Sequence, residues 1–401
     1  MKLTVVVPSY LPGFRYGGPI QSVHGMASAL VRRGHDVRVV TTDCDQGVRL
    51  DLERRPVEID GVTVEHCRWL GPARLRYAPD FAATLRAWML DSDLVWINGL
   101  FELCSSRAMR LARRAGVPYV VSPRGMLDAE MLERRGRLRK RLWLDLLDAR
   151  SLLDASALHL TARREQDLLP DLGGPLPPIL TVANGVEHVP FAQDFGRVDP
   201  AVARALEAPG SKLVFLGRLS WKKGFDRLLP ALTRVQNDVR LIIAGPDDGA
   251  RSTSERDVSA LGLGSRVHLV GPVTGQTRSA LLEHGDALVL PSHSENFGNV
   301  VLEAMAAGTP AITTPEVGAS EVVARTGAGV VSGGEPARLA EVIDELLSDP
   351  ARLAEQGRRA RAAAVEFGWD RLAERFEAAL SGLLPRRSLV ALPRTEERVS
   401  A

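Results

Sequence analysis

Short β-branched runs alternate with longer amphipathic segments along most of this chain, and the alternation occurs twice. In the first half the runs are 3–7, 37–41, 63–66, 94–97, 119–121 and 157–160. Helical spacing fills the intervals at 21–33, 81–90 and 105–115. Strand, helix, strand order with nearly all-apolar strands specifies a parallel sheet with both faces covered. The second half repeats the plan, with runs at 213–216, 239–244, 267–270, 287–290 and 309–313 and helices at 225–235, 274–284 and 300–307. The prediction is an α/β chain of two doubly wound, Rossmann-like domains facing across a cleft.

The stretch 183–210 carries turn-type residues and no strand pattern, so the expected domains are 1–183 and 184–368. A helix from Trp369 (WDRLAERFEAALSGLL, 369–384) follows after the second sheet is complete. It is expected to cross back onto the first domain, leaving 385–401 as a flexible tail. Open α/β sheets bind ligands beyond the carboxyl ends of their strands, so two facing domains suggest a split ligand site.

No stretch approaches the 18 or more apolar residues of a membrane-spanning helix. The apolar run at MKLTVVVPSY is too short for a signal peptide. Three cysteines, Cys44, Cys67 and Cys104, form no CxxC pair and suggest neither disulfides nor zinc. Eight histidines supply no HExxH motif. These features lead us to expect a cytoplasmic protein with no metal centre. The 51 basic and 49 acidic residues nearly balance, which argues against a dedicated nucleic-acid binder.

Three segments carry chemistry. Gly17-Gly18 opens a helix after the first strand, where glycine admits close backbone approach and the helix end attracts anions; an ordinary turn is the other reading. GxGxxG is absent there, and no P-loop motif occurs. Next, FLGRLSWKKG places Arg218 at a strand end with Lys222 and Lys223 behind it. Only five lysines occur in the chain, and two of them sit in this loop. An arginine fork with a lysine point charge suits a diphosphate, against the alternative of a solvated basic loop.

The third segment, PSHSENFGNVVLEAMAAGTPAI, runs from a strand into a helix for which Asn299 is the expected N-cap. Backbone N–H groups around Gly298–Val301 would form a second anion site. Glu295 and Glu303, with seven residues between them, would accept hydrogen bonds from paired sugar hydroxyls; the plainer reading makes them a solvated loop acid and a helix-dipole acid. His293 is either solvated or adjacent to the ligand.

These residues resemble the retaining glycosyltransferases of family 4, bacterial polysaccharide and glycolipid type, with the two-domain GT-B fold. The resemblance rests on ENFGNVVLEAMAAGTP, GRLSWKKG, Asn184-Gly185 and the opening GGPIQSVHGMASALVRRGHDVRVVTT, and spans about residues 1–384. It implies transfer of a sugar from a nucleotide-diphosphate donor to a saccharide or lipid-linked hydroxyl, with retention and without metal or other cofactor. Arg218 and Lys223 would hold the diphosphate. Phe297, Gly298, Asn299 and Val300 would grip phosphate and sugar through their backbone. Glu295 would meet sugar hydroxyls, Glu303 the ribose, and Gly17 and Gly18 would close from the other domain. Where many relatives carry a histidine, this chain reads SPRGML, with Arg124. Arginine cannot act as a base. It would orient a phosphate or an acidic acceptor, or serve as a structural ion-pair partner, while Asn98 would contact the acceptor. Nucleotide-sugar 2-epimerase, phosphorylase and non-catalytic sensor remain alternatives.

The charge is unevenly spread. Residues 1–180 carry 26 basic and 21 acidic groups, and 181–401 carry 25 and 28. Much of the first excess lies in MLERRGRLRKRLWLDLL: Arg134, Arg135, Arg137, Arg139, Lys140 and Arg141, interleaved with leucines. One reading is a basic amphipathic helix on an anionic membrane, making the enzyme peripheral at the inner face of the plasma membrane. The other is a solvated face whose leucines pack inward.

Overall fold

A computed structural model describes residues 1–133 and 136–384. Arg134, Arg135 and the expected tail 385–401 lie outside the described residues. The first sheet has eight strands in the order Ile179–Thr181, Ala157–Leu160, Tyr119–Ser122, Leu94–Asn98, Lys2–Ser9, Asp36–Thr42, Val62–Cys67 and Val57–Ile59. Only the last, an edge strand, pairs antiparallel. The second sheet is wholly parallel: Val267–Gly271, Val239–Ala244, Ser211–Leu216, Ala287–Leu290, Ala311–Thr313 and Gly329–Val331. All eleven predicted runs form strands, and their apolar side chains are the cores: Val5, Val39, Trp96, Phe215, Ile242 and Val289 are fully enclosed.

The deviations have local causes. Val57–Ile59, Ile179–Thr181 and Gly329–Val331 form although three residues are too few to show a period. The last predicted run starts at Ala311 because Pro310 has no N–H to give the ladder. The helix predicted over 225–235 is Phe225–Leu232. Pro230 lies inside it, and the Thr233 hydroxyl donates to the Pro230 carbonyl at 2.8 Å as the chain turns away.

The helix Trp369–Ser381 returns to the first domain. The Trp369 ring is gripped between two glycines: a Cβ on Gly25 would lie 2.3 Å from it, and one on Gly185 2.4 Å. Arg32 pairs with Asp370 at 2.7 Å and Arg33 with Glu377 at 2.6 Å. Phe376 packs on Trp96, ring centroids 4.9 Å apart. Among the described residues no helix is long and apolar enough to cross a membrane.

Candidate active site

The strand Ser211–Leu216 ends at Gly217, and Arg218 follows at the carboxyl edge of the sheet. A single 3-10 turn, Trp221–Lys223, leads to Gly224 at φ +73°. A Cβ there would lie 2.0 Å from the Pro291 carbonyl oxygen, so glycine alone allows this approach. The close passage brings the basic loop against the loop 291–298. Lys223 forms an ion pair with Glu295, both largely buried. Arg218, half exposed, pairs with Asp248 at 3.2 Å. Glu295 is fixed by its backbone: its N–H donates to Glu316 O at 3.1 Å, and its carbonyl accepts from Gly318 N–H at 3.2 Å. Phe297 is buried and accepts from Ala319 N–H at 2.7 Å.

The helix Asn299–Ala307 starts one residue earlier than expected, and its N-cap is Gly298 at φ +87°. Asn299 is therefore the first helical residue rather than the cap. Its amide is spent on two partners, donating to the Ser22 hydroxyl across the cleft and accepting from the Asn184 amide at the domain junction, each at 2.8 Å. A Cβ on Gly18 would lie 3.4 Å from the Asn299 amide nitrogen, so the Gly17-Gly18 turn faces this helix end directly. The first N–H groups of any helix lack partners within it, and here Asn299 and Val300 supply them. One turn on, Glu303 is bound by Arg278, with Nε at 2.9 Å.

On the first-domain side Arg124 follows the strand Tyr119–Ser122 at φ +55°. Its Nε and Nη2 donate to Asn98 Oδ1 at 3.1 and 2.8 Å, and Nη1 donates to Asn184 Oδ1 at 3.0 Å. The guanidinium stands 5.6 Å from the Trp96 ring centroid. Burial lowers its pKa to about 10, which leaves it charged at neutral pH. The expected ion-pair partner is replaced by two asparagine amides. Asn98 is buried and already engaged by Arg124. A second link between the domains runs from Asn296 Nδ2 to Thr161 Oγ1 at 3.0 Å.

Three side chains that brace these loops and strand ends carried no sequence signal. Arg278 sits 25 residues before its partner Glu303, on the helix Gly275–His284. Arg227 braces the Glu295 loop, reaching Glu316 at 3.2 Å and the Pro291 carbonyl at 3.4 Å. His159, inside a short strand, lies between Ser122 Oγ at 2.7 Å and the Val182 carbonyl at 3.0 Å. Burial, reinforced by Arg124, lowers its pKa to about 3, so it is neutral. His293 binds the Asp226 carboxylate at 2.9 Å and stacks on Trp221.

The basic segment forms the helix Arg137–Trp143, tied down by Trp143 Nε1, which donates to Ser106 Oγ at 3.1 Å and Asp148 Oδ2 at 3.0 Å. Leu138, Leu142 and Leu146 do not pack inward; they are 84%, 59% and 70% exposed. Leu138 and Leu142, four residues apart, share one face of this helix, and Leu146 follows on the π-helical turn Leu144–Asp148. Arg137, Arg139 and Arg141 are exposed beside it, and Lys140 is partly covered.

Comparison with known proteins agrees with this geometry. Residues 17–185 match the model described as Glycosyl transferase 4-like domain, and residues 204–363 that described as Glycosyl transferases group 1. The chain is 34% identical over 389 residues to D-inositol 3-phosphate glycosyltransferase of Xylanimonas cellulosilytica, covering 89% of each chain. It is 30% identical over 404 residues to glycogen synthase of Mycobacterium tuberculosis, covering 93% of this chain and 92% of that one. Among solved structures, sucrose-phosphate synthase from Thermosynechococcus elongatus superposes with a TM-score of 0.77 at 19% identity, over 95% of this chain and 98% of that one. Anabaena HepE in complex with UDP and glucose superposes with a TM-score of 0.72 at 21% identity, over 95% and 100%. The two Rossmann-like sheets, both family matches and the 34% identical relative lead to one conclusion: the chain belongs to the group 1 glycosyltransferases, GT4-like enzymes of GT-B fold.

Proposed function

We propose that this glycosyltransferase moves a hexosyl group from a nucleoside diphosphate sugar to a hydroxyl of a saccharide or lipid-linked acceptor, with retention, in cell-surface polysaccharide or glycolipid synthesis. The observation that carries the donor half is the Lys223–Glu295 pair beside the helix end at Asn299. One cation, one carboxylate and first-turn N–H groups stand together, as a sugar diphosphate requires. The bond from the anomeric carbon to the diphosphate oxygen breaks, and the leaving group gains negative charge. Lys223, Arg218 and the helix N–H groups stabilise that charge without a metal ion. The acceptor oxygen attacks the same face, and its proton passes to the departing phosphate oxygen. Glu295, released from Lys223 as the diphosphate arrives, accepts from sugar hydroxyls. Arg124 braces Asn98 and Asn184, and Glu303 accepts from the ribose.

The names of two comparison proteins support a UDP-linked donor and a hydroxyl-bearing acceptor, since one is an inositol phosphate glycosyltransferase and another holds UDP and glucose. A peripheral membrane location is supported by the exposed leucine stripe between arginines. The decisive experiment is a thermal-shift screen with UDP, GDP, ADP and their sugars, repeated with Arg218→Ala and with EDTA. A shift for one nucleotide that Arg218→Ala abolishes and EDTA spares supports the reading. A shift that survives Arg218→Ala overturns the diphosphate assignment. Donor binding without product in acceptor pools identifies a sensor, and acceptor-free epimerisation a 2-epimerase.

A further inference from the structure

The helices Phe81–Met89 and Leu103–Ala115 lie side by side against the first sheet. Between them opens a cavity of about 370 Å³. Arg107, Arg110, Leu111 and Arg114 wall it from one helix, and Ala82 and Arg86 from the other. The spacings explain this lining. Residues three, four and seven apart share one face of a helix, and so do two residues four apart. Four of the six lining side chains are therefore arginines gathered around one concavity.

The fold supplies these charges with no counter-charge. Neither helix contains an aspartate or a glutamate. Among the described residues, none of the four arginines forms an ion pair with a carboxylate. Arg110 Nε donates to the Ser106 carbonyl at 3.2 Å, and Arg107 stands over the Tyr77 ring at 5.7 Å. Both contacts hold a side chain without neutralising it. Asp148 senses the Arg110 charge, but it is fully buried and its Oδ2 accepts from Trp143 Nε1 at 3.0 Å. Arg113, on another face of the same helix, reaches Asp154 at 3.3 Å. Like charges three or four residues apart on a helix repel, and a concave wall of one sign concentrates its field. Arg107, Arg110 and Arg114 keep that repulsion, and Arg86 adds to it from across the cavity.

The lining also selects the ligand. It offers guanidinium donors and the apolar surfaces of Ala82 and Leu111, and no side-chain acceptor. A sugar hydroxyl needs an acceptor as well as a donor, so a saccharide fits poorly. A guanidinium fork meets a phosphate through two parallel N–H bonds. Each phosphate group carries about 1.5–2 negative charges at neutral pH, so a pair of them balances the four arginines. The volume falls within the range of small-molecule sites, roughly 300–1,000 Å³.

We propose that this cavity binds a diphosphate, or two neighbouring phosphate groups, through Arg86, Arg107, Arg110 and Arg114. It is a site apart from Arg218 and Lys223, and it stands independently of the reaction proposed above. The phosphate chemistry is common to two sources, a soluble phosphorylated molecule and a lipid headgroup. The helix Arg137–Trp143 stands alongside, since Trp143 Nε1 donates at 3.1 Å to the hydroxyl of Ser106, the residue before Arg107. A lipid source would thus join this site to the exposed leucines of that segment.

The probe is inorganic pyrophosphate, titrated by calorimetry at physiological salt. The full chain carries Arg218→Ala and Lys223→Met throughout, which takes the second-domain cations out of the measurement. Two site pairs are then added separately: Arg86→Gln with Arg114→Gln, and Arg107→Gln with Arg110→Gln. The side chains of the first pair make no hydrogen bond or ion pair among the described residues, so that pair keeps the test decisive if melting temperatures show the second to be unfolded. Arg352→Gln with Arg371→Gln removes two exposed charges elsewhere and controls for overall charge. The expected result is saturable pyrophosphate binding, weakened tenfold or more by each site pair and less than twofold by the control. Absence of saturable binding, or equal weakening by site and control pairs, overturns the proposal. A second arm, flotation of the same chains with phosphatidic acid or phosphatidylcholine vesicles, distinguishes the sources. Flotation with phosphatidic acid alone that the site pairs abolish identifies a lipid headgroup. Pyrophosphate binding lost in the site pairs, with flotation absent or equal in site and control pairs, identifies a soluble phosphate.

Discussion

Arg124 donates from Nη1 to Asn184 Oδ1 at 3.0 Å, and the amide of that asparagine then donates to Asn299 at the head of the helix Asn299–Ala307. The two bonds form a relay from the first-domain strand ends to the second domain. Arg124, held by Asn98 on the first-domain side, acts as the anchor of this relay. Replacing Asn184 with Ala removes both bonds and leaves two half-buried groups unpaired. The expected cost is roughly 1–3 kcal/mol of stability, by the usual penalty for an unsatisfied buried group. Urea unfolding of Asn184→Ala beside the native chain measures it, and an unchanged midpoint and slope would refute the relay.

Lys223 is the cation proposed to meet the leaving diphosphate, and it is held ready by Glu295. Loss of one preorganised charge-stabilising group lowers kcat by roughly 100- to 1000-fold in comparable sites. Lys223→Met is expected to fall in that range, whereas Arg218→Ala mainly weakens nucleotide binding, since Arg218 is half exposed and shared with Asp248. Steady-state kinetics with the nucleotide sugar selected by thermal shift separates the two. Equal losses in KM alone for both variants would remove Lys223 from the chemical step.

The sheets were legible because buried parallel strands are nearly all apolar, and runs as short as 241–244 and 287–290, set between helical patterns, suit strands rather than helices. The basic loop stood out because lysine is scarce and Lys222 and Lys223 sit together there, and the structure pairs Lys223 with Glu295. Arg278 was not: its meeting with Glu303 depends on how the helix Gly275–His284 packs beside the helix Asn299–Ala307, and 46 arginines make any one of them inconspicuous. The Asn299 cap was misread for a related reason. An asparagine before a helix normally turns back on the backbone, but here Ser22 across the cleft and Asn184 in the segment joining the domains compete for its amide and win.

The crossing helix depends on two glycines. A methyl group on Gly25 would sit 2.3 Å from the Trp369 ring, well inside contact distance. Overpacking of this kind costs roughly 1–3 kcal/mol. Gly25→Ala is therefore expected to lower the melting temperature by several degrees, and Trp369→Phe combined with it to restore part of the loss. If Gly25→Ala alone melts like the native chain, Trp369 does not occupy that slot.

The exposed stripe of Leu138, Leu142 and Leu146 sets up a test of membrane docking. Leucines dipping into the interface with arginines around them require both apolar burial and anionic lipid. Flotation with vesicles containing phosphatidylserine is expected to carry the native chain. Changing the three leucines to Ser, or Arg137, Arg139, Lys140 and Arg141 to Ser, should each leave it in the soluble fraction. Flotation that persists in both variants would exclude this helix as the contact.

His159 carries the pH prediction. It is enclosed by Ser122, Val182, Trp96 and Phe376, with the Arg124 charge nearby, and burial first and that charge second lower its pKa to about 3. In the unfolded chain a histidine titrates near 6.5. Above that pH both states are neutral, and the native arrangement keeps its full stability. As pH falls from about 6.5 toward 3, the unfolded chain takes up a proton that the native state refuses. Stability then declines by about 1.4 kcal/mol per pH unit from this group alone. Other groups also titrate in this window, so the measurement is a difference: urea unfolding between pH 6 and 4.5 for the native chain and for His159→Gln. The native chain is expected to lose stability more steeply by about that slope. Parallel curves would show that His159 accepts a proton in the folded state.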